Sequence, residues 1–207
     1  KISIKYNLHL IEDNCESLGA KFKNRYTGTI GSLGAFSFFF SHHLQTMEGG
    51  MTLTNNKELY EIMKSCRAHG WTRDLSDSKI FSRPSNKDYR SKFHFILPGM
   101  NLRPLELSAV VGIEQLKKMN KFINIRKKNA KYFYSVFNDN DDFDLQDYSK
   151  DSSFFSFALI KKKNSKINIR KFTKYLQKNN IEIRPIAAGA ILRCTSWRWS
   201  KSINNCN

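Results

Sequence analysis

The sequence predicts an α/β protein, and three observations carry that expectation. The strand-sized apolar run Ala35–Phe40, broken only by Ser37, is the pattern of a strand buried on both faces. Two stretches after residue 104 repeat apolar residues at helical spacing. The last third reads strand, helix, strand, which makes a small α+β unit. A chain of 207 residues accommodates one large domain or two small ones.

Taken in order, Ile2–Tyr6 and Leu8–Ile11 are short apolar runs, the second ending in Glu12-Asp13. A carboxylate just past a buried strand sits at the C-terminal edge of a parallel sheet, where α/β proteins form their sites. Thr27-Gly28-Thr29-Ile30-Gly31-Ser32-Leu33-Gly34 is a turn segment able to take positive φ. After the Ala35–Phe40 strand, His42 to Gly50 form a polar loop closed by Gly49-Gly50, and Met51–Thr54 reads as another strand. Asn55 or Asn56 caps a helix with Leu59, Ile62, Met63 and Cys66 at i, i+3, i+4 and i+7, ended by Gly70. Thr72–Lys92 is polar and irregular. Pro98–Pro104 is a loop leading into a helix, with Pro104 near its first turn and Leu107, Val110, Val111, Glu114 and Leu116 following at helical spacing. A second helix is expected from about Phe122 to Phe137, then a turn or linker at Asn138–Asp142. Ser153–Ile160 reads as a strand, Asn168–Gln177 as a helix with Ile169, Phe172 and Leu176 on one side, and Ile181–Ile186 as a returning strand.

Hydrophobic residues make up 40% of the chain and aromatics 13%, enough for a core, so global disorder is excluded. No apolar run reaches the length of a membrane span, and no charged-then-apolar leader is visible; the expectation is a cytoplasmic protein without a membrane partner. Cys15, Cys66, Cys194 and Cys206 show no Cys-x-x-Cys spacing, so reduced thiols are expected and no metal site or disulfide framework. The net charge of +17 fits either a polyanion binder or a Lys-rich composition spread over solvated faces. The second reading is preferred, without a nucleic-acid partner, because the basic residues of Lys117–Lys131 and Lys161–Lys178 leave the apolar helix faces intact. A positive field still draws in a nucleotide diphosphate.

Residue patterns alone stop at an α/β protein with a polar site around residue 13 and residues 37–50. Three motifs go further. Ile11-Glu12-Asp13-Asn14-Cys15-Glu16-Ser17-Leu18-Gly19-Ala20, the stretch Gly31–Gly50 and the segment Pro98–Leu116 resemble, in order and spacing, motifs of the DegT/DnrJ/EryC1/StrS family of sugar aminotransferases. The similarity runs from residue 1 to about Leu192. It implies the aspartate-aminotransferase-like fold of vitamin-B6-dependent transferases. Residues 1–120 would be the C-terminal part of the large, cofactor-binding domain, and 121–207 an incomplete small α+β domain.

The resemblance also implies roles. Asp13 matches the carboxylate that pairs with the pyridine nitrogen of pyridoxal phosphate; a buried carboxylate there keeps that nitrogen protonated and the ring an electron sink. Ser37 matches a serine that bonds the cofactor phosphate, and Asn101 an asparagine that reaches the phosphate across a homodimer interface. Glu16 stands where many relatives have Gln and is carried as a further cofactor-binding position. Arg184, in Ile183–Ala190, reads equally as a substrate contact or a structural arginine.

The departure that matters is Ser41-His42-His43. The family's aminotransferases place a cofactor-binding lysine at position 42, whereas a branch with two histidines here comprises sugar 3-dehydratases. An imidazole moves protons near neutral pH but forms no lasting Schiff base. The resemblance therefore implies a 3-dehydratase. In it pyridoxamine phosphate engages the 4-keto group of a nucleotide-linked 4-keto-6-deoxy sugar, His42 moves the proton, and the C3 hydroxyl leaves. His43 either supports His42 or packs, and packing is preferred. The cysteines lack the cluster spacing of the iron–sulfur relatives, so L-glutamate is the expected amino donor that regenerates the cofactor. The chain is expected to be about half of such an enzyme and, in isolation, poorly active or inactive. The rival expectations are an aminotransferase of the same family, an inactive binding module, and a basic nucleic-acid binder.

Overall fold

The computed structural model describes residues 1–76 and 89–186. The chain forms two compact units, one of Lys1–Ser135 with Tyr148–Ser156, the other of Val136–Asp147 with the described residues from Phe157 onward.

In the first unit, a short helix α1 (Ile2–Lys5) precedes β1 (Ile11–Asp13). A hairpin, β2 (Lys21–Phe22) and β3 (Arg25–Tyr26), follows; Lys23 and Asn24 at its turn have φ of +49° and +64°, as a two-residue hairpin turn requires. Strands β4 (Leu33–Ser37) and β5 (Gly50–Leu53) complete a sheet in the order β1-β4-β5. β4 runs parallel to β1, with Asp13 beside Ala35, and antiparallel to β5, with Ser37 beside Gly50. The expected strand thus starts and ends earlier than its apolar run, because Phe38–Phe40 already belong to the site loop.

Helix α2 (Lys57–Cys66) is capped by Asn56, whose side chain accepts from Leu59 N at 3.0 Å. Its most buried residues are Glu61 and Ser65 rather than the apolar stripe. Glu61 earns that place by accepting from Ser76 N at 3.0 Å and from the Ser76 hydroxyl at 2.5 Å. A single turn of 3₁₀ helix spans Tyr89–Phe93. The two helices expected after residue 104 are one continuous helix, α3 (Glu106–Phe137): residues 117–121 contain no Gly or Pro to break it. A methyl group added at Gly112 of α3 would lie 3.1 Å from Thr46, and Ile123 fills the space at Gly19, so α3 backs the loops of the site edge.

The second unit pairs β6 (Phe143–Leu145) antiparallel with β7 (Leu159–Lys161) and adds α4 (Ile169–Lys178), capped by Asn168. The rings of Phe143 and Phe172 meet at 5.1 Å. This is an α+β arrangement, but the strands differ from the expected ones. Of Ser153–Ile160 only Leu159 and Ile160 join a ladder, which ends at Lys161, and Ile181–Ile186 is irregular. No helix of the described residues is long and apolar enough to cross a membrane.

Candidate functional site

Parallel pairing of β1 and β4 decides which residues share a face. Asp13, Ala35 and Ser37 lie on one face of the sheet, and Glu12, Gly34 and Phe36 on the other. The second face is closed by the turn at residues 27–31. The Glu12 carboxylate accepts from Gly28 N (2.8 Å), Ile30 N (2.7 Å) and Gly31 N (2.6 Å). Gly34 has no Cβ because the Gly28 carbonyl occupies that space. Burial alone would raise the Glu12 carboxyl; the three N–H bonds, helped by the charge of Arg25, outweigh it and hold the group below its ordinary value. Sequence reasoning assigned Glu12 no role. The available signal was a Glu one strand ahead of a glycine-rich turn whose N–H groups need an acceptor.

On the open face, Asp13 ends β1. The sequence-based expectation of a buried carboxylate is corrected here: Asp13 is exposed. Its Oδ1 accepts from Cys15 N at 3.1 Å, a local Asx turn. Hydrogen bonds from the Cys15 thiol and then from its N–H hold the Asp13 carboxyl below its ordinary value, and the His42 imidazole lies near enough to add to the lowering. The same thiol contact, with burial and the Asp13 charge, pushes Cys15 up to about 11, so the thiol stays protonated and keeps donating. Ionisation therefore comes from local donors rather than from a dry pocket. Cys15 was not singled out from the sequence, although its position two residues after an Asp is where such turns take their donor.

The loop after β4 carries His42. Phe38 N donates to Gly49 O (2.9 Å), Thr46 N to Phe38 O (2.8 Å) and His42 N to Phe39 O (2.9 Å), and the chain turns back through Met47 at φ +68° and Gly49 at φ +146°. The half-buried His42 ring meets Phe39 edge-on at 5.9 Å and Phe155 at 5.3 Å. Its Nδ1 is enclosed without a hydrogen-bond partner among the described residues, which leaves Nε2 as the ring nitrogen available for proton transfer. His43 points inward and is 4% exposed, and its Nε2 donates to Ser153 O at 3.2 Å. Burial first, then the charge of Arg126, pushes His43 down to about 4, so it is neutral and structural.

Ser37 stands two residues beyond the partner of Asp13, its hydroxyl accepting from Phe39 N at 3.2 Å. Asp13, Ser37 and His42 are thus brought to one edge of the sheet. Glu16 is exposed in the turn after β1. Asn101 is exposed on a different foundation: its loop is fastened to the end of α2 by Met100 N to Cys66 O (2.8 Å) and Leu102 N to Arg67 O (2.9 Å), with a bridge between Asn101 and Ala68. Arg184 is exposed in the irregular segment of the second unit; Ala187–Ala190, with which it was read, lie outside the described residues. No group of His, Cys, Asp and Glu among the described residues could hold a metal ion.

The residues along this open edge fit a vitamin B6 cofactor: a carboxylate held in its ionised form, a hydroxyl and an imidazole lie along it, and no lysine occupies residues 40–50. The DegT/DnrJ/EryC1/StrS aminotransferase family matches residues 1–200. The chain is 46% identical to GDP-4-keto-6-deoxy-D-mannose 3-dehydratase of Escherichia coli over 187 residues, 90% of this chain and 48% of that protein. The structure of the E. coli dehydratase with bound hydrated PLP superposes with a TM-score of 0.88 at 44% identity, covering 94% of this chain and 50% of that one. A structure of GDP-4-keto-6-deoxymannose-3-dehydratase with a trapped PLP-glutamate geminal diamine matches with a TM-score of 0.86 at 44% identity, over 93% of this chain and 50% of that one. The chain spans about half the length of the curated relatives it matches. The α/β fold is that of the PLP-dependent aminotransferases, and the chain belongs to the DegT/DnrJ/EryC1/StrS aminotransferase family.

Proposed function

We propose that the chain is part of a PLP/PMP-dependent nucleotide-sugar 3-dehydratase, which removes the C3 hydroxyl of a nucleotide-linked 4-keto-6-deoxy sugar in deoxysugar and surface-polysaccharide biosynthesis. The observation that carries this reading is an imidazole, not an amine, beside the ionised Asp13 at the open sheet edge. The 46% identical relative is a dehydratase of this kind.

When bound, the pyridoxamine form of the cofactor supplies an amine that condenses with the 4-keto carbon and a ring that takes up electrons. Asp13, one of whose oxygens is held by Cys15, would hold the pyridine nitrogen and keep it protonated. The Ser37 hydroxyl would hold a phosphate oxygen, and Glu16 would be a further residue holding the cofactor. His42 would be the proton carrier of the site, its imidazole able to take up a proton and release one to a leaving oxygen near neutral pH. A second copy of the chain supplies Asn101 to the phosphate, Arg184 contacts an anionic group of the substrate, and L-glutamate restores the amine form, as the glutamate adduct of the relative suggests. Residues 1–120 belong to the large domain and 121–207 to the small one, and the enzyme works in the cytoplasm.

The test is mass-spectrometric product analysis of the full-length protein given a 4-keto-6-deoxy nucleotide sugar, PLP and L-glutamate. The expected product has lost the C3 oxygen. A product with an amino group at C4 and the C3 hydroxyl retained would make the protein an aminotransferase.

A further inference from the structure

A histidine that shuttles protons usually has its second ring nitrogen held by a carboxylate or a carbonyl, which fixes both tautomer and orientation. His42 lacks that partner among the described residues: its Nδ1 is enclosed and unpaired. What holds the ring is packing between two aromatic edges. Phe39 belongs to the same loop and is tied to His42 through the backbone at 2.9 Å. Phe155 is far away in sequence, and its ring approaches the imidazole at 5.3 Å with an interplanar angle of 80°.

Phe155 is itself fixed. Three consecutive carbonyls are gripped from below: Ser153 O by His43 Nε2 at 3.2 Å, and Phe154 O and Phe155 O by Arg126 Nη1 at 3.0 Å each. The ring of Phe154 stacks on Tyr148 at 5.6 Å. Arg126 stands on α3, and His43 is the neighbour of His42 itself, so clamp and base share one foundation. An exposed connection would let Phe155 swing; this one has its backbone acceptors occupied.

We propose that Phe155 is a positioning residue for the reaction. Held by the Arg126–His43 clamp, it keeps the His42 imidazole in the orientation that presents Nε2 to the open edge, doing by shape what a hydrogen bond to Nδ1 does elsewhere. The proposal rests on the reading of His42 as the proton carrier.

The test uses the full-length protein. Phe155→Leu keeps apolar bulk at a half-buried position but removes the flat edge. The expected result is a fall in kcat of about tenfold or more, with KM and cofactor affinity changed by less than about twofold, because misorientation of a proton carrier costs rate rather than binding. Imidazole ¹⁵N–¹H spectra of the cofactor-free protein should show one ring state for His42 in the wild type and averaging in the variant. Arg126→Met should reproduce both effects and Arg126→Lys should restore part of the rate; should Arg126→Met fail to fold, Phe155→Leu alone decides. A Phe155→Leu protein with kcat within about twofold of wild type and an unaveraged His42 signal overturns the proposal and leaves the role of His42 intact. A His42→Asn protein with wild-type kcat would overturn the reading beneath it.

Discussion

Asp13 and His42 reach one edge from the ends of neighbouring parallel strands, and each is tuned by its own surroundings. Asp13 is ionised by donors from Cys15, and His42 is oriented by rings. His42→Asn should therefore lower turnover by about 10² to 10⁴-fold while leaving cofactor affinity near wild type, measured by single-turnover kinetics and absorbance titration. Asp13→Ala should do the reverse, with cofactor affinity lost first. His43 supplies a separate signature. It titrates at about 4 in the fold against an ordinary value of 6.5, so the unfolded chain takes the proton first as pH falls. Its contribution to stability is whole above about pH 6.5, is lost as pH drops from there to about 4, and is constant below. The carboxylates Glu12 and Glu61 are also depressed, but from an ordinary value of 4.5, so their contributions persist down to that value and are lost only below it. The window between pH 7.5 and 5 thus separates His43 from these carboxylates. Wild-type protein should lose on the order of 1 to 2 kcal/mol across it after allowance for partial solvent screening. In urea titrations, His43→Asn should flatten that slope; an equal slope in the variant would assign the loss to other groups.

At the scale of elements, the sheet edge is set by what packs behind it. A methyl group at Gly34 would overlap the carbonyl oxygen of Gly28, a backbone atom that the Glu12 carboxylate has locked in place. Gly34→Ala should destabilise by about 1–3 kcal/mol through overpacking and displace Asp13, which follows Glu12, the strand partner of Gly34. Asn56→Ala, at the cap of α2, should cost about 1 kcal/mol and leave cofactor binding unchanged. Thermal melts of both variants, paired with cofactor titration, separate the two effects. The same elements show what the sequence could reveal. The cap of α2 at Asn55 or Asn56, the start of α4 near Asn168, the turn before β4 and the carboxylate at the end of β1 were legible because each is a local signal. Helix α3 was read as two because its apolar face fades between Leu116 and Phe122, although nothing in the backbone interrupts it. The hairpin of β2 and β3 went unread because its strands are two residues long, and β6 because its partner lies beyond an irregular stretch. At the site, the resemblance pointed to Asp13, Ser37 and His42, and the structure brings the three to one sheet edge. Phe155 and Arg126 were invisible, since their contacts with residues 42 and 153–155 exist only once α3 has laid distant segments together.

The whole molecule carries a feature that no element explains alone. Along α3, Leu107, Val110, Ile113 and Leu116 are 67%, 60%, 59% and 57% exposed, and Met100, Leu102 and Leu105 extend the apolar surface into the preceding loop. A surface of this kind is made to be covered. Asn101 sits within it, on the loop fastened to α2 rather than on the Asp13 edge. A symmetric pair of subunits would cover such a patch on both copies at once, and each could then lend its Asn101 to the other's cofactor. This arrangement has a consequence that a self-contained site lacks. In full-length protein, Asp13→Ala and Asn101→Ala should each be strongly impaired as homodimers. When the two are unfolded together and refolded at equal amounts, half of the dimers should be mixed. In a mixed dimer one site collects both lesions and the other collects neither. Turnover should then recover to about a quarter of the wild-type value per subunit, measured with the same sugar substrate after size-exclusion separation. Recovery that stays at the level of the two separate variants would mean that Asp13 and Asn101 serve the same subunit's site, and the shared-site arrangement would fall while the dehydratase chemistry stood.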